Sequence, residues 1–414
     1  MASEVMRWFA GVDWGSERHQ ACLLDAAGKV LGERAFAHGG AGLAALCDWL
    51  VSMAGDPSSV AVAIEVPHGP VVDTLLDRGF AVHAINPKQL ERLRDRFSVA
   101  GAKDDRRDAR VAAAGLRTDP HLFRLVQVSD PSVIALREWS RLSEELQQER
   151  VRLSNRVRQQ LWRYYPQLLE LASDDIAAEW VLELWTMAPT PAQAARLREA
   201  TLARLLRRHR IRRLDAATAL GVLRQPAITV AAGVTEAAVL HLRSLITRLR
   251  LANQEFCQAE GKLEELCTTL TESVPAAAAS GPSDAAILRS LPGVGTVTLA
   301  TLLTEAAGPL ARRDYAALRT LSGVAPVTKR SGKSCVVVMR YAAQLRLRQA
   351  VFHWARVAVQ HDPKSRARYA ALRARGHSYG RALRAVADRL LGVACVLLQR
   401  QTLFDPDHGA PAAP

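Results

Sequence analysis

Four carboxylates in the first 110 residues have the types and spacing to hold divalent metal. Asp13 closes the short apolar run of WFAGVDWG, and Glu65 directly follows VAVAI. Asp105 and Asp108 stand three apart in GAKDDRRDARVAA, so one helical turn points both the same way. Acids at two strand ends and on one helix face can meet in a single negative cluster, which is costly unless cations neutralise it. Two Mg²⁺ ions held by carboxylate oxygens are the usual solution, and they stabilise the attacking and leaving oxygens of a phosphodiester. Taken singly, an acid at a strand end also reads as a loop carboxylate, and an acidic pair among arginines as a salt-bridged helix face. Glu65 is the exception, because an acid beside a buried strand demands a reason. Asp104 can stand in for Asp105 in the cluster.

These acids need elements to position them. WFAGVDWG reads as a first strand, and RHQACLLDAAGKVLGERAFAH as two more around a turn at Ala27 and Gly28. AGLAALCDWLVSMAG is an amphipathic helix, and VAVAIEV a buried β-branched strand. VVDTLLDRG is a helix closed by glycine, and FAVHAINP a strand stopped by Pro87. Helices in KQLERLRDRF and DDRRDARVAAAGLR follow. Three strands, a helix and then strand–helix alternation is the element order of an α/β domain of ribonuclease H-like fold. From Pro131 to about Leu171 apolar residues at three-to-four spacing predict one long helix, and residues 236–270 predict a second. The two can pair as an antiparallel coiled coil. Shorter helices and the basic ARLLRRHRIRRL fill the stretch between, AAAASGPSD is a small-residue linker, and a mostly α-helical C-terminal domain follows. The expected division is 1–127, 128–280, 281–402 and a disordered tail at 403–414.

Lys plus Arg number 55 against 41 Asp plus Glu, a formal net charge of +14 that points to a polyanionic partner. A generally basic, arginine-favouring composition would give the same sum. The six cysteines lie far apart without ligand spacing, which predicts neither a zinc site nor a disulfide framework and fits a reducing compartment. No apolar run has signal-peptide or membrane-spanning character, so the expected location is the cytoplasm, with action at the nucleoid and no membrane partner.

GVDWGSERHQACLLD, AIEVPHG and INPKQLERLRDRFSVAGAKDDRRDARVAA resemble the DEDD transposases of insertion-sequence family one-hundred-ten. LPGVGTVTLATLLTEAAG, ALRTLSGVAPVTKRSGKS and KSRARYAALRARGHSYGRALRAVADRLL are similar to the second domain of that family. The likeness covers roughly residues 8–125 and 285–400. It implies an N-terminal domain like the junction resolvase RuvC, with Asp13, Glu65, Asp105 and Asp108 as the metal-binding acids and Lys103 opening the last motif. It also implies a serine nucleophile at Ser331, where many relatives have two serines before the glycine and this chain has Arg330; Ser334 follows three residues on. Cations at Lys329, Arg330 and Lys333 would suit a phosphate, although Ser-Gly is also a common turn dipeptide.

The turn at Pro292, Gly293 and Gly295 resembles a helix-hairpin-helix, whose backbone amides hold a DNA phosphate, and equally suits a plain inter-helix turn. Arg204 to Arg213 and Arg340 to Arg384 supply further phosphate contacts or solvated helix faces. The resemblance implies DNA as donor and target, a guide RNA from the element itself, two Mg²⁺ per site, and a homodimer or tetramer in which one active site draws on different subunits. The expected activity is cutting and rejoining DNA strands. Its rivals are a RuvC-like nuclease using metal-activated water and a non-catalytic nucleic-acid-binding protein.

Overall fold

All five residues of VAVAI are buried, as a strand covered on both faces requires. In the computed structural model, which describes residues 7–96, 104–126, 130–272, 281–332 and 334–406, this strand is central to a mixed sheet. The chain divides into two compact units, Met1–Ser129 and Asp130–Pro414.

In the first unit, β1 (Trp8–Asp13), β2 (Arg18–Asp25) and β3 (Val30–Ala37) form an antiparallel meander. Then come α1 (Gly40–Ala54), β4 (Val60–Ile64), α2 (Pro70–Asp77), β5 (Ala81–Ala84), α3 (Pro87–Asp95), α4 (Asp105–Thr118) and the two-residue β6 (Arg124–Leu125). The sheet order is β3-β2-β1-β4-β5-β6, with β4 parallel to both β1 and β5. Alternation along the strands separates two cores. Ala10, Val12, Val60, Val62 and Ile64 pack with α1 and α2, whereas Ala61 and Ala63 pack with α3 and α4.

The helix α4 lies unusually close to the sheet. A Cβ built on Gly11 would stand 1.9 Å from the Ala109 carbonyl oxygen and 2.7 Å from the Ala113 nitrogen. Alanines at 109, 112 and 113 continue the thin contact. At the far end, Arg117 reaches the β2–β3 turn at Gly28, whose φ is +88°. The helix therefore runs against β1, and its N-terminus lies over the carboxyl ends of β1 and β4.

The second unit opens with α5 (Pro131–Tyr164). The long helix predicted to reach Leu171 stops here, because Pro166 has no amide to continue the ladder and instead begins α6 (Pro166–Ala172). Short helices α7 (Glu179–Met187), α8 (Pro191–Ala195), α9 (Glu199–Arg208) and α10 (Ala216–Leu223) follow, and then α11 (Val234–Glu272). The C-terminal half of α5 shares a core with the N-terminal half of α11, while Leu136 meets Leu263 and Cys267, so the two long helices are antiparallel. The helices α6 to α10 form a head around one end of this pair.

A second core holds α12 (Asp284–Ser290), α13 (Thr296–Glu305), α14 (Ala307–Ala311), α15 (Tyr315–Leu321), α16 (Leu345–His361), α17 (Pro363–Ala374) and α18 (Tyr379–Arg400). A hairpin of β7 (Val327–Ser331) and β8 (Ser334–Val338), which the helical expectation did not contain, interrupts them. Disorder was expected from residue 403, yet Phe404 packs on this core and its N–H donates to Ser290 Oγ at 2.8 Å. The rest of that tail, from residue 407, lies outside the described residues, as does most of AAAASGPSD. No described helix is long and apolar enough to cross a membrane.

Replacing Gly11 with alanine should push α4 away from β1 and cost about 1–3 kcal/mol or more, as overpacking does. Thermal unfolding of the Gly11→Ala protein, compared with Gly40→Ala, where nothing stands within 4 Å, measures that effect directly.

Candidate active site

In the β1–β4 register, Gly11 pairs with Ala63 and Val12 with Ile64; Asp13 ends β1 and Glu65 is the first residue after β4, so both stand at the same end of the sheet. Alternation places Asp13 on the face of Gly11, the face that α4 covers. Asp13 and Glu65 are both half-buried.

Asp105 and Asp108 occupy the first turn of α4, where helix polarity favours negative charge. Asp105 is exposed, and Asp108 is 3% exposed. The sequence left Asp104 and Asp105 as alternatives. Asp104 is the N-cap, its carboxylate accepting from the Arg106 N–H at 3.3 Å, so its side chain is engaged in ending the helix. Lys103 lies outside the described residues.

Two features escaped the sequence reading. Arg94, from α3, places Nε 3.3 Å from Asp108 Oδ1, a nearly buried ion pair within the cluster. Its only local signal was a basic residue on an amphipathic helix, which is commonplace. The second is a histidine pair. The Gly15 N–H donates to His19 Nδ1 at 3.4 Å, so that nitrogen carries no proton, and His19 Nε2 donates to His38 Nδ1 at 3.0 Å. This pair pins the turn that follows Asp13. His19 is 1% exposed, and burial first, then His38, holds its pKa below the ordinary 6.5.

The donors are all hard oxygens, as Mg²⁺ prefers, and their backbone positions converge on one end of the sheet. Among the described residues no three His, Cys, Asp or Glu side chains already enclose an ion site. The acids fit a hard divalent ion by the chemistry of their donors, and by position they share one end of the sheet.

Ser331 belongs to the second unit. It ends β7 and pairs across the hairpin with Ser334, the two serines flanking the turn at Gly332, whose φ is +55°. Ser331, Ser334, Lys329 and Arg330 are all exposed, and Lys333 lies outside the described residues. Among the described residues no carboxylate or imidazole hydrogen-bonds the Ser331 hydroxyl.

The Pro292–Gly295 turn has a packing role. Gly293 has φ +83°, and a Cβ there would meet the Ala358 nitrogen at 2.8 Å, while Trp354 Nε1 donates to the Pro292 carbonyl at 2.8 Å. Gly295 has nothing within 4 Å of such a Cβ. Close by, Glu264 accepts from Thr296 Oγ1 and pairs with Arg289; the Thr296 hydrogen bond is the main cause of its depressed pKa.

Several arginines of the basic segments are engaged internally. Arg208 and His209 both pair with Glu183, and Arg213 donates to the Leu171 carbonyl. Arg346 bridges Glu144 and Glu305, and Arg348 donates to the carbonyls of Arg340 and Tyr341.

Comparison with known proteins decides the family. A transposase profile of the DEDD type of IS110 matches residues 10–166, and a profile described as the transposase IS116/IS110/IS902 family matches residues 285–370. The protein named for the IS117 mini-circle of Streptomyces coelicolor is 32% identical over 414 residues, covering 98% of this chain and 97% of its own. The chain belongs to the IS116/IS110/IS902 transposase family.

The y4uE protein of Sinorhizobium fredii is 62% identical over 210 residues, which is 50% of this chain and 58% of that relative. The match thus spans little more than half of y4uE. The IS110 43.6 kDa protein of Streptomyces coelicolor is 28% identical over 408 residues, 96% of this chain and 95% of its own. This family's enzymes cut and rejoin DNA. The DEDD match carries the ribonuclease H-like fold and divalent-metal use with it.

Two outcomes follow from the first unit. Arg94→Leu leaves Asp108 buried without that cation and should destabilise by roughly 3–5 kcal/mol, recovered by adding Asp108→Asn. Denaturant unfolding of the single and double variants tests this. His19 and His83 both have pKa values lowered mainly by burial, so the unfolded chain binds more protons than the fold just below 6.5. Stability is then complete above pH 6.5 and falls as the pH drops below it. A melting temperature unchanged across that range would contradict the buried neutral histidines.

Proposed function

We propose that this transposase performs site-specific strand exchange with Asp13, Glu65, Asp105 and Asp108 as its Mg²⁺ ligands and Ser331 as its nucleophile. The observation that carries the reading is the parallel pairing of β1 and β4, which brings Asp13 and Glu65 to the end of the sheet where the N-terminal turn of α4 lies. Mg²⁺ bound there, two ions per site, would offset the acids' mutual repulsion and polarise the scissile phosphate.

The chain's own residues supply the remaining steps. The Ser331 hydroxyl attacks phosphorus, forming a phosphoserine ester as the P–O bond to one sugar breaks, and the departing sugar oxygen takes up a proton. A sugar hydroxyl of the incoming strand then attacks that ester and releases Ser331 with its proton. Lys329, Arg330, Lys333 and Lys103 offset phosphate charge, with backbone amides at Gly293 and Gly295 as further contacts. Ser334 is the neighbouring hydroxyl and the control for this assignment.

The working enzyme is a homodimer or tetramer in the cytoplasm, acting at the nucleoid, with acids and serine of one site drawn from different subunits. An element-encoded RNA supplies sequence choice by base pairing, and the basic chain reads backbone. The functional parts are residues 1–127, a helical and coiled-coil region at 128–280, and the serine-bearing 281–402.

Covalent capture on element DNA with Mg²⁺ and co-purifying RNA tests the reading. Wild type and Ser334→Ala should form a protein–DNA adduct, and Ser331→Ala and Asp13→Ala should form none. Cleavage without an adduct, unaffected by Ser331→Ala, would leave a nuclease that uses water.

A further inference from the structure

The middle of α5 carries a surface that the strand-exchange chemistry does not use. Between Arg150 and Tyr165 there are five arginines and no acid. Leu153, Val157, Leu161 and Tyr164 are buried on one side of the helix. On the other side Arg152, Asn155, Arg156, Gln159, Trp162 and Arg163 are exposed at three-to-four spacing, which makes them one stripe about 16 Å long.

Trp162 is 70% exposed. Together with Asn155, Arg156, Arg158 and Gln159 it lines an open depression of about 430 Å³. Arg150 is turned inward, donating to Asn253 and stacking on Phe256, and Arg158 donates to the Asp174 carbonyl. Among the described residues no carboxylate pairs with Arg152, Arg156 or Arg163.

An indole left in water beside cations that lack counter-charges is complementary to a flat, apolar ring attached to a polyanion. We infer that this stripe binds single-stranded DNA, with one unpaired base stacked on Trp162 and the flanking phosphates held by Arg152, Arg156 and Arg163. In a duplex the base faces are already stacked and cannot reach the indole, whereas an unpaired strand offers them freely. The side-chain amides of Asn155 and Gln159 lie between, within reach of a base edge. A second copy of the chain is a poor occupant, because a two-fold contact would set like charges against each other. DNA is the source because the family cuts and rejoins DNA, and a cut strand needs a holder until it is rejoined. This depends on the family's activity on DNA and not on the assignment of Ser331.

Fluorescence anisotropy with the full-length protein and labelled oligothymidylate, a DNA hairpin duplex and oligouridylate separates the outcomes. Trp162→Ala should weaken oligothymidylate binding about 10- to 100-fold, the weight of one stacked base, and leave duplex binding unchanged. Trp162→Phe should restore most of it. Arg156→Gln should reduce the slope of log affinity against log salt by about one phosphate contact. An unchanged melting temperature for Trp162→Ala keeps folding out of the comparison. Equal losses for duplex and single strand, a loss confined to oligouridylate, or a change in oligomeric state on sedimentation with DNA binding intact would each overturn the inference.

Discussion

The first unit depends on the absence of a side chain at Gly11. Helices ordinarily rest on a sheet through layers of side chains, but here the Ala109 carbonyl comes to where a Cβ would be. Nothing larger than alanine fills the adjacent contacts at Ala61, Ala63, Ala112 and Ala113. This approach places the first turn of α4 at the height of the strand ends, so acids far apart in the chain share one end of the sheet. Strand pairing alone brings two carboxylates to that end; the thin helix contact adds the others.

Charge is divided unevenly between structural and available uses. Arg94 with Asp108, Arg208 with Glu183 and Arg346 with Glu144 and Glu305 spend guanidinium groups on internal acids. Such pairs orient elements more than they stabilise them, since desolvation offsets most of the attraction. The count of 55 Lys and Arg therefore overstates the cations available to a polyanion, whereas the net charge of +14 already allows for such pairs.

Much of the placement of the candidate residues could be read from the chain. The apolar runs before Asp13 and Glu65 marked strands, and the acidic start of DDRRDARVAA marked a helix. These are local signals, carried by residues close together in sequence. The role of Asp104 needed the cap geometry, since either acid could have begun the helix. Arg94 and the His19–His38 pair were not legible, because each depends on which elements the sheet brings together. Gly11 looked like any glycine in a strand, and only the helix above it explains its size. In the second unit, the stop at Tyr164 could have been read from Pro166, and the hairpin around Gly332 could have been read from Val327, Thr328 and the valines at 336–338, which favour strand.

The hairpin that bears Ser331 has a property with wider consequence. Among the described residues its two strands pair only with each other, and Val336 and Val337 are 51% and 63% exposed. An isolated two-stranded ribbon is marginal in water and gains definition when something lies against it. Under the proposed chemistry, a solitary molecule wandering along a chromosome carries its reactive hydroxyl on an unsettled support. Harm to bystander DNA is then limited by poor aim, with no need for a separate inhibitor.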